Sequence, residues 1–179
     1  MRNIMQAIEE AKANVPKEKA MEYQEGKTLG YAKSKLYGLI EMNGGKRFVI
    51  TSKDGTKGYI NKHSVDKMLS NISKYKNEET NITPAQHYAA VADIEDLFKN
   101  ATKFLTHSDK KGSGNVEAIH RYAAPLYSDN IAYITVKEIT EEGNKIHSIE
   151  LIEIGKLEGK LNEAKLDFDP NPATNDPED

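Results

Sequence analysis

The side chains best suited to proton transfer in this 179-residue chain are its five histidines, because imidazole titrates close to neutral pH. His120 is directly followed by Arg121, which places an acid–base group beside a cation that suits phosphate. Farther along, Tyr133, Thr135 and Lys137 alternate on a predicted strand and project together from its polar face. This spacing favours a site on a sheet where protons are exchanged near a bound anion.

A second group lies where a predicted helix begins. Ser64 and Lys67 fall in its first turn, and His63 comes directly before it. If this helix packs across the sheet, His63 would be a second proton-transfer group beside His120. The alternative for each residue is ordinary surface placement: His63 in solvent, His120 and its neighbour on an edge strand, and Lys137 on an exposed strand face.

The other histidines have simpler interpretations. We expect His87 to be a structural residue in the first turns of a helix. His107 lies in a predicted polar, glycine-containing loop (107–115) in which Lys110 and Lys111 are candidate phosphate contacts. His147 lies on the last predicted strand and shares the face of an apolar neighbour, so we expect it to be half-buried.

Several kinds of site are absent from the sequence. There is no cysteine, which excludes disulfides, thiolate metal ligands and a cysteine nucleophile. No two histidines are spaced i, i+4 on a helix, and there is no P-loop, GxGxxG or GxSxG motif. We therefore predict no metal and no cofactor. No apolar run reaches the roughly 20 residues of a membrane span, and we expect a cytoplasmic protein without a membrane partner.

Charge is unevenly distributed along the chain, whose net charge is −3. Residues 158–179 hold seven acidic residues and two lysines, a balance of −5, so the remainder carries +2. Residues 41–75 hold seven basic and three acidic residues. This region could meet phosphate or be a solvated lysine-rich face. The predicted RNA contacts are Lys46, Arg47, Lys62, Lys67, Lys110 and Lys111.

The order of elements predicts an α+β fold in which N-terminal helices pack on a small antiparallel sheet of about four strands. Residues 1–42 show helical spacing, and residues 47–60 show a hairpin around Asp54-Gly55. Thr83, Pro84 and Gln86 predict a helix start with a capping box. That helix is expected to extend to Phe104, either as one helix or as two helices broken near Asp93.

The last predicted elements are strands. Residues 119–125 favour a strand or a short irregular segment, and residues 131–138 and 145–154 favour an antiparallel hairpin. We divide the chain into a helical extension (1–42), an α+β domain (43–157) and an acidic tail (158–179) that we expect to be disordered.

Five segments resemble the large polyvalent protein-associated domains of phages and conjugative elements, in particular the third type of that group. They are residues 58–64, 87–98, 118–125, 133–138 and 145–150. The resemblance implies a relation to the barnase–EndoU–colicin–RelE-like nucleases. It therefore also implies helices against a four-stranded antiparallel sheet and metal-independent RNA cleavage, in a toxin or effector setting.

RNA cleavage of this kind needs a base for the ribose 2′-hydroxyl, an acid for the leaving 5′-oxygen and a cation at phosphorus. On this interpretation His120 is base or acid, and His63 is the second proton-transfer group. Arg121 or Lys137 holds phosphate, and Tyr133 or Thr135 orients the reacting groups. The implied partners are RNA and an immunity or inhibitor protein. The alternative is a non-catalytic module of a polyvalent phage protein that binds protein or nucleic acid.

Overall fold

Three helices open the chain in the computed structural model, which describes residues 4–70, 82–108, 116–126 and 130–156. They are α1 (Ile4–Lys12), α2 (Lys17–Glu25) and α3 (Leu29–Met42). Pro16 is extended (φ −60°, ψ 145°) and separates α1 from α2. Thr28 caps α3, because its hydroxyl accepts a hydrogen bond from the Tyr31 backbone N–H at 3.0 Å. The prediction of helices before residue 42 is confirmed.

The described residues in the middle of the chain form three further helices: α4 (Lys62–Ser70), α5 (Pro84–Ala92) and α6 (Ile94–Lys99). Thr83 and Gln86 form the predicted capping box, with Pro84 at the first helical turn. The chain breaks at Asp93, which ends α5 and precedes α6. His63 lies inside the first turn of α4 rather than before it, because that helix begins at Lys62.

Within the described ranges, six strands form one mixed sheet in the order β1-β2-β6-β5-β4-β3. Their bounds are β1 (Phe48–Thr51), β2 (Lys57–Ile60), β3 (Thr102–His107), β4 (Val116–Pro125), β5 (Asn130–Glu141) and β6 (Asn144–Lys156). All neighbouring pairs are antiparallel except β2 and β6, which are parallel.

The expectation of about four antiparallel strands is therefore corrected in two respects. First, the hairpin β1–β2 joins the same sheet, through the parallel pairing of Gly58 and Tyr59 with His147 and Ser148. Second, residues 102–107 form β3, although the helix was expected to continue through Phe104. The helix ends earlier because Asn100 caps the C-terminus of α6. The residues after it include threonine and phenylalanine, which favour a strand, and they form β3.

Helices cover one face of the sheet with a continuous apolar core. Side chains of α2 to α6 pack there against alternate strand residues, among them Tyr122, Ile134, Val136, Ile149 and Ile152. Leu36 and Ile40 of α3 lie in this same core.

The opposite face carries a smaller cluster around α1. Ile8 packs there with Ala123, Ile131 and Tyr133, and the ring of Phe104 meets that of Tyr133 edge to face. The predicted alternation on β5 is thus confirmed, because Ile134 and Tyr133 contribute to different cores. Among the described residues, no helix is long and apolar enough to cross a membrane.

Candidate functional site

A cluster of two histidines and one glutamate forms where β4, β5 and β6 lie side by side. Glu138 Oε1 lies 2.9 Å from His120 Nε2 and 3.5 Å from His147 Nε2. The two imidazole rings are 5.6 Å apart between centroids. We call these three residues the His–Glu cluster. Their side chains are 10%, 14% and 25% exposed for His120, Glu138 and His147, so solvent reaches the cluster, and His147 most of all.

The cluster continues the helix-covered face of the sheet. On β5, Glu138 lies two residues beyond the core residue Val136 and so points to the same side. His120 bears the same relation to Tyr122 on β4, and His147 to Ile149 on β6.

Two β-bulges decide which side chains meet in the cluster. On β6 the register shifts between the pairs Thr135–Leu151 and Val136–Ile149, which leaves Glu150 as the extra residue. Because of this shift Glu138 pairs with His147, whereas unbroken pairing would have placed Ser148 opposite it.

The second bulge lies on β3. The register shifts between Lys103 and Leu105, and as a result Thr106 pairs with His120. The Thr106 hydroxyl lies 2.9 Å from His120 Nδ1. Bulges are frequent beside active sites, where they redirect a side chain.

Both ring nitrogens of His120 have partners. In the neutral ring, Nε2–H donates to Glu138 and Nδ1 accepts from the Thr106 hydroxyl. In the imidazolium, Nδ1–H donates to the same hydroxyl, which can also accept. Thr106 therefore holds the ring in one orientation in either state.

The environment of the cluster favours a neutral imidazole next to a carboxylate. Burial lowers the pKa of His120 below its ordinary value, although the hydrogen bond to Glu138 acts in the opposite direction. Burial would raise the pKa of Glu138, but the bond from His120 and the charge of Lys145 outweigh it, and the pKa is lowered. Lys145 Nζ lies 3.5 Å from Glu138 Oε2.

The structure does not place Arg121 beside His120. Successive residues of β4 point to opposite faces, and Arg121 pairs with Thr135 on the face away from the His–Glu cluster. There Arg121 Nε donates to His107 Nε2 at 3.1 Å. Lys137 lies on that face too, since it is two residues from Thr135.

The two residues predicted to orient the reacting groups, Thr135 and Tyr133, lie on that face and are largely buried. Thr135 is 8% exposed and Tyr133 is 6% exposed. The Tyr133 hydroxyl donates to the Lys156 carbonyl at 3.0 Å. The predicted constellation of His120 with Arg121, Lys137, Tyr133 and Thr135 is thus divided between the two faces of the sheet.

Several predicted RNA contacts already have acidic partners. Lys67 Nζ lies 2.7 Å from Glu150 Oε1, and Lys62 is paired with Glu41. Arg47 lies 3.4 Å from Glu141 and stacks on the Tyr59 ring at 4.3 Å. Lys46 is exposed. Lys110, Lys111 and the tail 158–179 lie outside the described residues.

The structure places three more of the histidines that the sequence analysis considered. His63 is exposed on α4. His87 is fully buried, and its Nε2–H donates to the Met68 carbonyl at 2.7 Å, which matches its structural interpretation. His147 is half-buried, as the sequence predicts.

A cavity of about 370 Å³ lies apart from the cluster, between α1, α2 and α6. Lys19, Tyr23 and Asp93 lie in its wall, and Asp93 binds both of the other side chains. Burial raises the pKa of Asp93, against the hydrogen bonds from Tyr23 and Lys19. We interpret this group as the contact that fixes α2 to the junction of α5 and α6.

The fold thus defines an α+β domain with a partly exposed acid–base cluster on its sheet. Residues 27–147 match the family described as large polyvalent protein-associated domain 3. The chain belongs to this family. No curated protein matches the chain, and no solved structure matches it.

Sequence reasoning missed Glu138, His147 and Thr106 as site residues. Glu138 and His147 pair across β5 and β6, but a register with a bulge is invisible in the sequence. The sequence offered one signal, the alternation of side chains on β5. Glu138 is an even number of residues from Ile134 and Val136, so its side chain points to the same face as these core residues. A charged residue at such a position needs a partner.

Proposed function

We propose that this domain is an endoribonuclease-like module of a phage or mobile-element polyvalent protein, and that the His–Glu cluster carries out its acid–base chemistry. The observation that supports the proposal is two imidazoles held on one carboxylate, within reach of solvent and beside Lys145. Two histidines can serve as the base and the acid of RNA cleavage near neutral pH without a metal ion.

In this proposal His147 is the base. Its Nε2 lies 3.5 Å from Glu138 Oε1, where the carboxylate attracts the Nε2–H, and the Nδ1 lone pair can then accept the ribose 2′-hydroxyl proton. Glu138 then stabilises the imidazolium that forms. The 2′-oxygen attacks phosphorus and the 5′-oxygen leaves, which gives a 2′,3′-cyclic phosphate end.

His120 is the acid in the same step. Burial lowers the pKa of His120, so only part of the population carries the imidazolium, and that part serves as the acid. Its Nδ1–H passes a proton to the Thr106 hydroxyl, 2.9 Å away, while that hydroxyl gives its own proton to the leaving 5′-oxygen. Lys145 and Lys103 provide positive charge near the cluster, since Lys103 acts electrostatically on His120. Negative charge that develops at phosphorus would be stabilised there.

Arg121 and Lys137 have no part in this step, because they lie on the other face of the sheet. They remain candidates for contacts with RNA outside the cleavage site, as do Lys46, Lys110 and Lys111. An immunity or inhibitor protein that covers the His–Glu cluster, and a cytoplasmic place of action, belong to the same proposal.

The test is RNA cleavage by the purified full chain, with total RNA and tRNA as substrates and EDTA present. We expect cleavage in EDTA, with 2′,3′-cyclic phosphate ends. His147→Ala and His120→Ala should each reduce the rate by about 10²–10⁴, the usual contribution of a proton-transfer group. His63→Ala is the matched control, because this exposed histidine lies on a helix and should leave the rate unchanged.

A second candidate function is a non-catalytic binding module. It is favoured by the ion pairs of Arg47, Lys62 and Lys67, which neutralise half of the predicted RNA contacts. Intact RNA at high protein concentration would contradict the cleavage proposal and support this one. If His63→Ala reduced the cleavage rate as much as His147→Ala and His120→Ala do, the assignment of the His–Glu cluster as the cleavage site would be contradicted.

A further inference from the structure

We propose that the His–Glu cluster binds one divalent transition-metal ion of the Zn²⁺ class through His120 Nε2, His147 Nε2 and a Glu138 carboxylate oxygen. Binding itself does not depend on the proposed RNA cleavage. The effect of the ion on activity does rest on the proposed function: an ion held there would occupy the groups needed for proton transfer and would therefore inhibit RNA cleavage.

The donor atoms have the types and spacing that such an ion requires. One atom from each of the three residues lies within 4.8 Å of the other two. Zn²⁺ binds imidazole nitrogen and carboxylate oxygen at about 2.0–2.2 Å, so donor atoms in a tetrahedral site lie about 3.4 Å apart. The two carboxylate–imidazole separations, 2.9 Å and 3.5 Å, fall on either side of that value.

The cluster also has the outer contacts that fix metal ligands. Thr106 holds Nδ1 of His120, and Lys145 lies 3.5 Å from the second oxygen of Glu138. Ligating histidines usually donate the other ring N–H to an oxygen acceptor, which fixes the ring and its tautomer, and the Thr106 hydroxyl is such an acceptor here. When the metal takes the Nε2 lone pair of His120, the ring proton moves to Nδ1, where the Thr106 hydroxyl accepts it. No proton need leave this ring.

Three protein ligands leave a fourth position open. Two histidines and one glutamate form a donor set that zinc sites use when the fourth ligand is water or substrate. Side-chain exposure between 10% and 25% gives an ion access, yet the donors have already lost much of their hydration. The ligands lie on three neighbouring strands of one sheet, so little of the chain has to be ordered on binding.

The test uses Co²⁺ as a spectroscopic probe and Zn²⁺ as its competitor, on the full chain in metal-free buffer without RNA. We expect saturable 1:1 binding of Co²⁺ with visible d–d absorption, and displacement of Co²⁺ by Zn²⁺. Calorimetry with Zn²⁺ should give the same stoichiometry. His147→Ala and Glu138→Gln each remove a ligand and should abolish saturable binding at the concentrations that fill the unmodified site.

Thr106→Val tests the outer contact, because it keeps the β-branched shape and loses the hydroxyl. We expect it to weaken Zn²⁺ binding about 10–100-fold, while His63→Ala binds normally. Circular dichroism of each variant shows whether it has folded, and Glu138→Gln and Thr106→Val still test the site if His147→Ala is unstable.

Two results would overturn the inference: no saturable Co²⁺ signal with the unmodified chain, or normal binding by both His147→Ala and Glu138→Gln. Because these measurements contain no RNA, they are separate from the cleavage assay, which is run in EDTA. Metal binding without RNA cleavage would leave this inference standing and reject the proposed function. RNA cleavage without metal binding would reject this inference and leave the proposed function standing.

Discussion

Substitution of Gly58 by alanine tests the packing that holds β2 against β6. Gly58 pairs with His147, so its position also fixes the strand that carries one member of the His–Glu cluster. A Cβ at Gly58 would lie 2.9 Å from Phe98 Cε2 and 3.0 Å from Ile149 Cγ1. Carbon atoms in good contact are about 3.5–4.0 Å apart. Phe98 and Ile149 are fully buried, so neither can swing into solvent to relieve the contact.

The size of the effect follows from two opposing contributions. Adding a methylene-sized group to a closely packed core costs about 1–3 kcal/mol. Replacing glycine by alanine restricts the unfolded chain, which returns about 0.4–1 kcal/mol. We therefore expect Gly58→Ala to lower the free energy of unfolding by about 1–2 kcal/mol, which corresponds to roughly 2–8 °C in Tm for a chain of this length.

Gly38→Ala is the matched control, because a Cβ at this position in α3 meets nothing within 4 Å. It should raise the free energy of unfolding by about 0.5–1 kcal/mol, the cost of glycine in a helix interior. The assay is urea unfolding of both variants and of the unmodified chain, with circular dichroism as the probe of the transition. If Gly58→Ala were as stable as Gly38→Ala, the close packing of Phe98 and Ile149 over β2 would be refuted.

Two more predictions concern stability. Thr83→Ala removes the cap of α5 and should lower the free energy of unfolding by about 1 kcal/mol in the same urea assay; Thr83→Ser, which keeps the hydroxyl, should not, and an equal loss in both would contradict the capping role. Burial lowers the pKa of His87, so the folded state binds its proton less readily than the unfolded state. The stability from this group is fully present above the unfolded pKa of about 6.5 and is lost as pH falls through the folded value. Unfolding free energies measured at a series of pH values should therefore decline below about pH 6.5. They should decline less in His87→Gln, and the same decline in both proteins would exclude His87 as the cause.

Local signals predicted most of the elements. Thr83, Pro84 and Gln86 each have a direct physical role at a helix start, and the structure confirms the capping box. Asp54-Gly55 predicted the hairpin of β1 and β2 for the same kind of reason, since positive φ at Gly55 suits the turn. These signals act over a few residues and do not depend on the rest of the fold.

Long-range pairing was not predictable from the same signals. Nothing within residues 57–60 tells that β2 lies parallel to β6, because that contact joins residues about ninety positions apart. The strand β3 was hidden for a related reason. Ala101 and Phe104 continue the apolar spacing of a helix, yet Phe104 packs on Tyr133 in the smaller core.

The candidate site shows the same division between local and long-range information. Strand alternation alone separates His120 from Arg121, whatever the rest of the fold does. Two bulged residues, Phe104 and Glu150, then determine which side chains join His120. Without the bulge on β6, Ser148 would face Glu138, and this half-buried carboxylate would have lost one imidazole neighbour.

Each bulge leaves an extra residue out of the regular ladder, and both extra residues have specific contacts that stabilise the irregularity. Phe104 packs edge to face on Tyr133 at 5.9 Å, and Glu150 binds Lys67 of α4 at 2.7 Å. The contacts that hold the bulges therefore lie outside the His–Glu cluster but decide its composition. In this way the predicted residues Lys67 and Tyr133 bear on the site through the register of the strands, while Thr106, Glu138 and His147 supply the groups beside His120.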